Sequence, residues 1–374
     1  WRPTPTLEVM AALRADREVL PVGRALLQAE WFRLTGIANA LLGSPSWHAS
    51  PRFAMRWSDP ERQWALRADA GTFREAADPA VLDEWIAYDG GPQARRGVGA
   101  LGAWPAVPDS TAAPVRGPIL TVLNPVLESP RTGRVTIGID HALGARTALR
   151  VAGTYRHTDL LARRSDLNLR PRPLAQDQDG RPVYGQLVEQ GGLVTVTPGT
   201  NRRFADFDVV SGIDPTGYSD YWALTVSLDR VAERGINLRA GYTYSRTTDN
   251  LPGLAGGPIG GQLSPLPETT GAADWRDGRS DLDVPHRAAL ALEWRSGAAA
   301  GLRLGVLARY RSGYPFTPGF RDGVDMNGDG SGQNDPAFVS DTVAGAADLI
   351  GGWSCLRQEL GRLATRNSCR GPSI

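Results

Sequence analysis

Short turns and long connections alternate strictly between the segments of alternating hydrophobicity in this chain of 374 residues. Compact soluble domains rarely contain connections longer than about 12–15 residues without secondary structure of their own. Outer-membrane β-barrels, in contrast, combine short periplasmic turns with long outer loops and strands of roughly 10 residues. The pattern therefore favours an all-β, antiparallel transmembrane β-barrel. The short turns join residues 53–58 to 63–73, 134–142 to 146–156, 221–231 to 236–245 and 287–295 to 302–310, and the long connections are 74–133, 157–220, 246–286 and the residues after 310.

The predicted strands each have one apolar and one polar face. Successive side chains of a strand point to opposite sides of a sheet. Within residues 221–231, for example, Leu224 and Val226 flank the polar Thr225. The same alternation is compatible with a soluble antiparallel sheet that has one wet face, so strand length and the order of the connections favour the barrel. We interpret the charged inward positions as a water-filled lumen wall or as plug contacts, and they include Arg67, Asp69, Arg239 and Arg309.

Composition leaves a barrel as the membrane-spanning option. A transmembrane helix needs about 18 or more consecutive apolar residues, and no run in the sequence approaches that length. The net charge is +1, with 41 basic and 40 acidic residues, so no nucleic-acid partner is indicated. The sequence contains no nucleophile elbow, zinc-binding helix motif or phosphate-binding loop, so we predict that the protein is not an enzyme.

Segments spread along nearly the whole chain carry a family resemblance. In order they read WRPTPTLEVMAALRAD, SPRFAMRWSDPERQWALRADAGTF, YWALTVSLDRVAERGINLRAGYTYSRTTDN, DLDVPHRAALALEWRSG and RYRSGYPFTP. The first is similar to the periplasmic turn and rising strand of TonB-dependent receptors, although Ala12 and Ala15 replace the Gly and Tyr of that family's pattern. The second and third segments resemble hairpins of the Oar-like branch, which carries a carboxypeptidase-regulatory-like domain at its N-terminus, and the last two resemble its Asp-Val-Pro-His-Arg entry and Gly-x-Pro-Phe-Thr exit.

The resemblance implies the C-terminal part of an outer-membrane active transporter, whose complete barrel has about 22 strands around a plug. It further implies outer-membrane lipid, TonB, the plug domain and a bulky extracellular ligand as partners, in the outer membrane of a Gram-negative bacterium. The ligand class stays open among siderophores, glycans and peptides. Two other function classes also stay open: an outer-membrane barrel or adhesin without active transport, and a soluble secreted calcium-binding β-protein.

We treat residues 1–374 as one partial barrel domain. With residues 7–15 included, about nine strands are predicted, whereas bacterial single-chain barrels use an even number. The sequence opens without a signal peptide and ends inside a loop. We therefore expect the signal peptide, the plug, the TonB box and the closing strands of the barrel to lie outside this sequence.

A segment of the last long connection has the spacing of a calcium-binding loop. Side chains that carry oxygen stand at alternate positions, and Gly330 occupies the place of the glycine that permits the sharp turn. The second half departs from the pattern, because Pro336 stands where a bidentate Glu is expected and Asp335 comes one residue early. Two interpretations stay open, a calcium site and a turn rich in Asx and Gly without a metal. The candidate calcium ligands are Asp325, Asn327, Asp329 and Ser331.

Cys355 and Cys369 are the two cysteines of the sequence, and both lie in the last connection. In an oxidising compartment such a pair is most simply a disulfide that closes a surface loop. It would stabilise the fold by roughly 3 kcal/mol in the chain-entropy model. No metal-binding spacing or catalytic His partner competes, so we predict a Cys355–Cys369 disulfide.

Overall fold

An antiparallel meander of nine long strands dominates the described part of the computed structural model. The described residues are 1–19, 25, 27–40, 46–76, 78–91, 95–97, 115–232, 235–251, 278–296, 301–320, 324–331, 334–339, 360–364, 366–371 and 373. Each long strand pairs with the next one along the chain. The strands are β1 (Leu7–Glu18), β2 (Ser46–Asp59), β3 (Trp64–Arg74), β4 (Arg131–Ala142), β5 (Thr147–Asp166), β6 (Val210–Arg230), β7 (Gly235–Asp249), β8 (His286–Arg295) and β9 (Arg303–Arg311).

The strands predicted from the alternation are all present, and the antiparallel all-β fold class is confirmed. The predicted lengths of β5 and β6 were wrong. The alternation placed the end of β5 at residue 156 and the start of β6 at residue 221, whereas β5 continues to Asp166 and β6 begins at Val210. The two strands remain partners along this extension, where Ser211 lies opposite Asp166, apart from one irregularity. The extension lies beyond the exposed apolar band of the sheet and therefore lacks the apolar alternation that marks the rest of each strand.

An irregularity at Gly217 interrupts the pairing of β5 with β6. The register shifts on both sides of this residue. A Cβ atom at Gly217 would lie 2.6 Å from the carbonyl oxygen of Leu161 and 2.6 Å from Cδ2 of Leu251. Because no side chain fits between these atoms, the bulge requires glycine.

The turns at the opposite end of the strands are tight. Between β2 and β3, the carboxylate of Asp59 accepts hydrogen bonds from the backbone N–H groups of Glu61 and Arg62, each at 3.1 Å. Between β4 and β5, Gly144 has a φ of +106°, in the region that favours glycine. Local contacts of this kind close a hairpin with few residues.

One face of the sheet is apolar and exposed. Ile137 is 62% exposed, Val306 is 57% exposed and Leu224 is 48% exposed, although all three lie well inside long strands. Soluble monomers rarely expose contiguous apolar patches larger than a few hundred Å². An apolar face of this kind is suited to the hydrocarbon of a membrane.

The buried apolar core lies in the long connections. We call the described residues within 27–40, 75–91, 119–130, 167–209, 278–285, 312–339 and 360–371 the loop layer. Trp31 is 1% exposed and makes edge-on contacts with the rings of Phe204 and Phe207, at centroid distances of 5.8 and 5.5 Å. A second cluster surrounds the fully buried Trp85. The long connections therefore form a folded layer at one end of the sheet.

The loop layer contains two short helices within the described residues, and neither was predicted. The helix α1 (Ala29–Thr35) buries Trp31 and ends at Gly36, which has a φ of +72°. The helix α2 (Pro79–Ala87) begins after Asp78, whose carboxylate accepts the N–H of Ala80 at 2.9 Å. An Asp followed by Pro is a recognised start signal for a helix and could have revealed α2. Among the described residues, no helix is long and apolar enough to cross a membrane.

Short strands complete the loop layer. The segment Leu120–Leu123 pairs in parallel with the start of β6, with Leu120 opposite Val210. The segment Gly278–Arg279 pairs with the end of β7. The other short strands are Arg95–Gly97 with Val115–Pro118, Ala175–Gln176 with Pro182–Val183, Leu187–Gln190 with Leu193–Val196, Pro315–Phe316 with Cys369–Arg370, and Phe338–Val339 with Arg362–Leu363.

Candidate functional site

A ladder of ion pairs crosses the polar face of the sheet near the short turns. The guanidinium of Arg67 lies 2.7 Å from the carboxylate of Asp140, and Nε of Arg150 lies 3.9 Å from the same carboxylate. Arg150 also pairs with Asp229, whose other oxygen is 2.9 Å from Nε of Arg239. These residues lie on five successive strands, from β3 to β7. The ladder gives this face of the sheet a charged surface, with three arginines and two aspartates joined in one chain of ion pairs.

Arginine side chains stack on aromatic rings further along the same wall. The guanidinium carbons of Arg52 and Arg134 lie 4.4 and 5.1 Å from the ring centroid of Phe73. Arg134 also lies 3.2 Å from the carboxylate of Asp69. Arg309, the remaining charged wall position of the sequence prediction, is exposed on β9. The structure thus places the predicted inward charges on one wall.

Aromatic and histidine side chains pair on the apolar side near the strand ends. Trp64 stacks on His141 at a centroid distance of 3.9 Å. The hydroxyl of Tyr242 and Nδ1 of His286 are 2.7 Å apart and share a hydrogen bond. Aromatic rings with a polar group are typical of the girdles at the two boundaries of a membrane.

A buried asparagine, two residues after the end of β5, holds two parts of the loop layer together. The side-chain amide of Asn168 donates hydrogen bonds to the carbonyls of Phe204, Phe207 and Asp208, at 3.1, 3.0 and 2.9 Å. Its Oδ1 accepts the backbone N–H of Phe204 at 2.9 Å. Sequence reasoning missed this residue, because its partners are distant in sequence and follow no pattern.

Two arginines form ion pairs between the loop layer and the extended end of β5. Arg202 contacts the carboxylates of Asp166 and Asp208 at 2.5 and 3.2 Å, and all three side chains are buried. Arg164 on β5 lies 2.8 Å from the carboxylate of Glu84 on α2. Buried pairs of this kind hold their partners in one geometry, because separating them would leave an uncompensated charge.

The predicted calcium loop is buried in the loop layer. The carboxylate of Asp325 accepts the backbone N–H groups of Gly328 and Gly330, at 2.6 and 2.9 Å. The carboxylate of Asp329 accepts the N–H of Ser331 at 2.7 Å, and Nδ2 of Asn327 lies 3.0 Å from its second oxygen. The structure therefore brings Asp325, Asn327 and Asp329 together. Within the described residues, no group of three or more His, Cys, Asp and Glu side chains is arranged as a metal centre.

Asp335 is a further buried acid beside this loop. Burial, together with the charge of Asp329, raises the pKa of Asp335 to about 8, and the same two causes raise the pKa of Asp325 to about 7. Nε of Arg181 lies 3.9 Å from Oδ1 of Asp335. Arg181 is 1% exposed and comes from residues 167–209, so its place beside the loop could not be read from the spacing of the acidic residues.

Cys369 lies buried in a small apolar cluster with Val339 and Ala364. It is not a free thiol. Cys355 lies outside the described residues, so the pairing of the two cysteines stays a prediction. The surrounding segment is attached to the sheet by Arg366, which donates to the backbone carbonyl of Asp249 at 2.9 Å.

The chain belongs to the outer membrane beta barrel domain family, whose model matches residues 13–372. The protein is therefore located in the outer membrane of a Gram-negative bacterium. This location and the exposed apolar face of the sheet exclude the soluble secreted alternative. No curated protein matches the sequence.

Solved outer-membrane proteins are similar to this chain at low identity. The outer membrane transporter YddB from Escherichia coli is 12% identical, with a TM-score of 0.45, over 72% of this chain and 29% of that chain. The FrpB iron transporter from Neisseria meningitidis, F3-3 variant, is 12% identical, with a TM-score of 0.43, over 84% of this chain and 32% of that chain. A double mutant of the Serratia marcescens hemophore receptor HasR, in complex with HasA and heme, is 13% identical, with a TM-score of 0.34, over 83% and 42%. The chain thus spans less than half of the length of each of these proteins.

Proposed function

We propose that the chain forms part of the barrel of a TonB-dependent receptor of the Oar-like branch, which imports a bulky ligand such as a siderophore, glycan or peptide. The observation that carries this proposal is the division of one structure into three surfaces. The sheet has an exposed apolar face and a charged wall, and a loop layer with its own core covers one end. An importer needs a lipid-facing side, a polar passage and an outer surface that selects the ligand.

The nine strands are, in this proposal, a segment of a larger barrel of about 22 strands around a plug. Among the described residues, β1 and β9 each have a partner strand on one side only. An unpaired strand edge within hydrocarbon is costly, because its backbone N–H and C=O groups find no hydrogen-bond partner. Further strands paired with β1 and β9 would remove both edges.

The polar face of the sheet, as the inner wall of the barrel, and the loop layer have different roles in this proposal. A plug would contact the ladder of ion pairs, which lies close to the short turns. The loop layer lies at the other end, where a ligand arrives from outside the cell. Its buried core gives it a defined surface for recognition, because the loops are fixed by packing and by buried ion pairs.

The test is an uptake comparison in the bacterium that makes the protein. Three strains carry the full-length gene, a gene without the codons for residues 1–374, or that deletion complemented in trans. Mass spectrometry of the culture medium identifies solutes that only the first and third strains deplete. We expect at least one such solute, and we expect a protonophore to abolish its depletion, because energised import uses the proton gradient of the inner membrane.

Two results would contradict active import. Depletion that continues unchanged in the presence of the protonophore would indicate a passive barrel. Loss of surface adhesion in the deletion strain, without any difference in the medium, would indicate the adhesin alternative. The other outer-membrane proteins of the three strains are compared as a control, since a general defect of the envelope would alter them as well.

A further inference from the structure

The segment from Asp325 to Asp335 has a geometry that the proposed import function does not use. The carboxylate of Asp325 at the first position reaches forward to the N–H of Gly330 at the sixth position, at 2.9 Å. Gly330 has a φ of +97°, and this conformation permits the sharp turn that a calcium loop makes at that position. Asn327 is fully buried between the two aspartates. The backbone thus follows the first half of a cation-binding loop, in agreement with the sequence spacing.

Three carboxylates are buried in this small volume. Asp325 and Asp329 are each 5% exposed, and Asp335 is 3% exposed. Oδ1 of Asp335 has no hydrogen-bond partner among the described residues, and Nε of Arg181 is 3.9 Å away, beyond hydrogen-bond distance. Isolated buried carboxylates cost several kcal/mol each unless a charge or a metal compensates them. Arg181, the cation beside Asp335, also pairs with Asp177 at 2.9 Å and is therefore shared between two carboxylates.

We propose that this segment binds one divalent cation, Ca²⁺, through the side chains of Asp325, Asn327 and Asp329, and that Asp335 moves in as a third acidic ligand on binding, since the three acids do not already form a metal-binding group among the described residues. The ligand atoms are oxygens of carboxylates and an amide, and the carbonyl of Ser331 stands where such loops supply a backbone ligand. Zinc favours nitrogen and sulfur ligands. Magnesium usually keeps several of its waters and uses one or two carboxylates, so a buried set of three favours calcium.

The cation would fasten two connections of the loop layer to each other. The backbone N–H of Tyr184 donates to the carbonyl of Asn327 at 2.7 Å, and the N–H of Asp325 donates to the carbonyl of Val194 at 2.8 Å. A Cβ atom at Gly328 would lie 2.9 Å from the backbone nitrogen of Gly185, so the two connections are in close contact. Calcium binding would therefore order residues 184–196 together with the cation loop.

Calcium binding is measured on the full protein, purified from outer membranes in detergent and freed of metal with a chelating resin. Isothermal titration with CaCl2 is expected to show one site with a Kd of about 0.1–1 mM or lower, the range of extracellular calcium modules. Asp329→Asn and Asp325→Asn are each expected to weaken binding about tenfold or more, because affinity follows the number of charged ligands. Asp206→Asn is the matched control, since Asp206 is an exposed acid of the same layer, and its Kd should equal that of the unchanged protein.

A second measurement does not depend on the folding of any variant. Hydrogen exchange of the unchanged protein is compared in CaCl2, in MgCl2 and in EDTA, and protection of residues 184–196 and 325–335 should rise with calcium alone. Absence of binding by the unchanged protein up to about 10 mM CaCl2, well above the range of such modules, would overturn the proposal. Equal binding by the Asp329→Asn variant, or equal protection by magnesium, would overturn it as well. The inference stands independently of the import function, because the uptake comparison and this titration can fail separately.

Discussion

Single buried polar residues contribute more to the order of the loop layer than the charged residues of the inner wall contribute to the sheet. The ion pairs of the ladder are partly exposed, and pairs of that kind are worth about 0–1 kcal/mol each. Asn168, in contrast, is fully buried, and its side chain makes four hydrogen bonds to the backbone of residues 204–208. A buried polar group that loses its hydrogen-bond partners destabilises the folded state by the full free energy of its desolvation.

The substitution Asn168→Ala is expected to destabilise the loop layer by about 1–3 kcal/mol, because it leaves buried carbonyl groups without a donor. Hydrogen exchange of residues 200–210 should become faster, while exchange within β8 and β9 should stay unchanged. Gln178→Ala is the control, since Gln178 is exposed in the same connection and should alter neither region. Equal exchange rates in the unchanged protein and Asn168→Ala would show that the hydrogen bonds of Asn168 do not stabilise the loop layer.

Gly217 offers a second prediction for a single residue. Gly217→Ala is expected to lower stability by about 1–3 kcal/mol, because the added methyl group has no room beside Leu161 and Leu251. Gly241→Ala is the matched control, since a Cβ atom at Gly241 on β7 would meet no atom within 4 Å. The midpoint of urea unfolding in detergent micelles or bilayers measures both. A similar midpoint for the two variants would refute the steric argument.

At the scale of secondary-structure elements, the long strands could be predicted because each one carries its own local pattern of alternating apolar and polar residues. A period of two residues is visible within each segment, whatever it packs against. The contacts of Trp31 with Phe204 and Phe207 join positions far apart in the sequence, so neither α1 nor the core of the loop layer could be predicted. For the same reason the spacing of Asp325 and Asp329 was readable, whereas the place of Arg181 beside Asp335 was not.

The two faces of β4 lead to a prediction about which side of the strand contacts lipid. Ile137 lies on the exposed apolar face of β4, and its neighbour Thr136 lies on the polar wall opposite Asp69. Ile137→Arg is expected to destabilise the folded protein by about 2–4 kcal/mol, because a charge is placed against hydrocarbon. Thr136→Arg should change stability by less than about 1 kcal/mol, because an exposed charge pair with Asp69 is weak. Urea titration in lipid vesicles measures both, and a larger effect at Thr136 would reverse the assignment of the faces.

At the scale of the whole molecule, the tight turns and the loop layer lie at opposite ends of one sheet. Every short turn joins strands at the same end, since each long strand pairs antiparallel with the next. Outer-membrane barrels place short turns in the periplasm and long loops outside the cell. The orientation of this chain in the membrane therefore follows from its topology, with the turn between β2 and β3 inside and the loop layer outside.

Cysteine labelling tests this orientation in intact cells. Glu61 is exposed in the turn between β2 and β3, and Asp206 is exposed in the loop layer. A maleimide that cannot cross the outer membrane should label Asp206→Cys in intact cells and Glu61→Cys only after the outer membrane is permeabilised. The unchanged protein gives the background, since the predicted disulfide would leave its two cysteines unreactive. Labelling of Glu61→Cys before permeabilisation, with Asp206→Cys protected, would require the opposite orientation and would place the loop layer, with its acidic loop, in the periplasm.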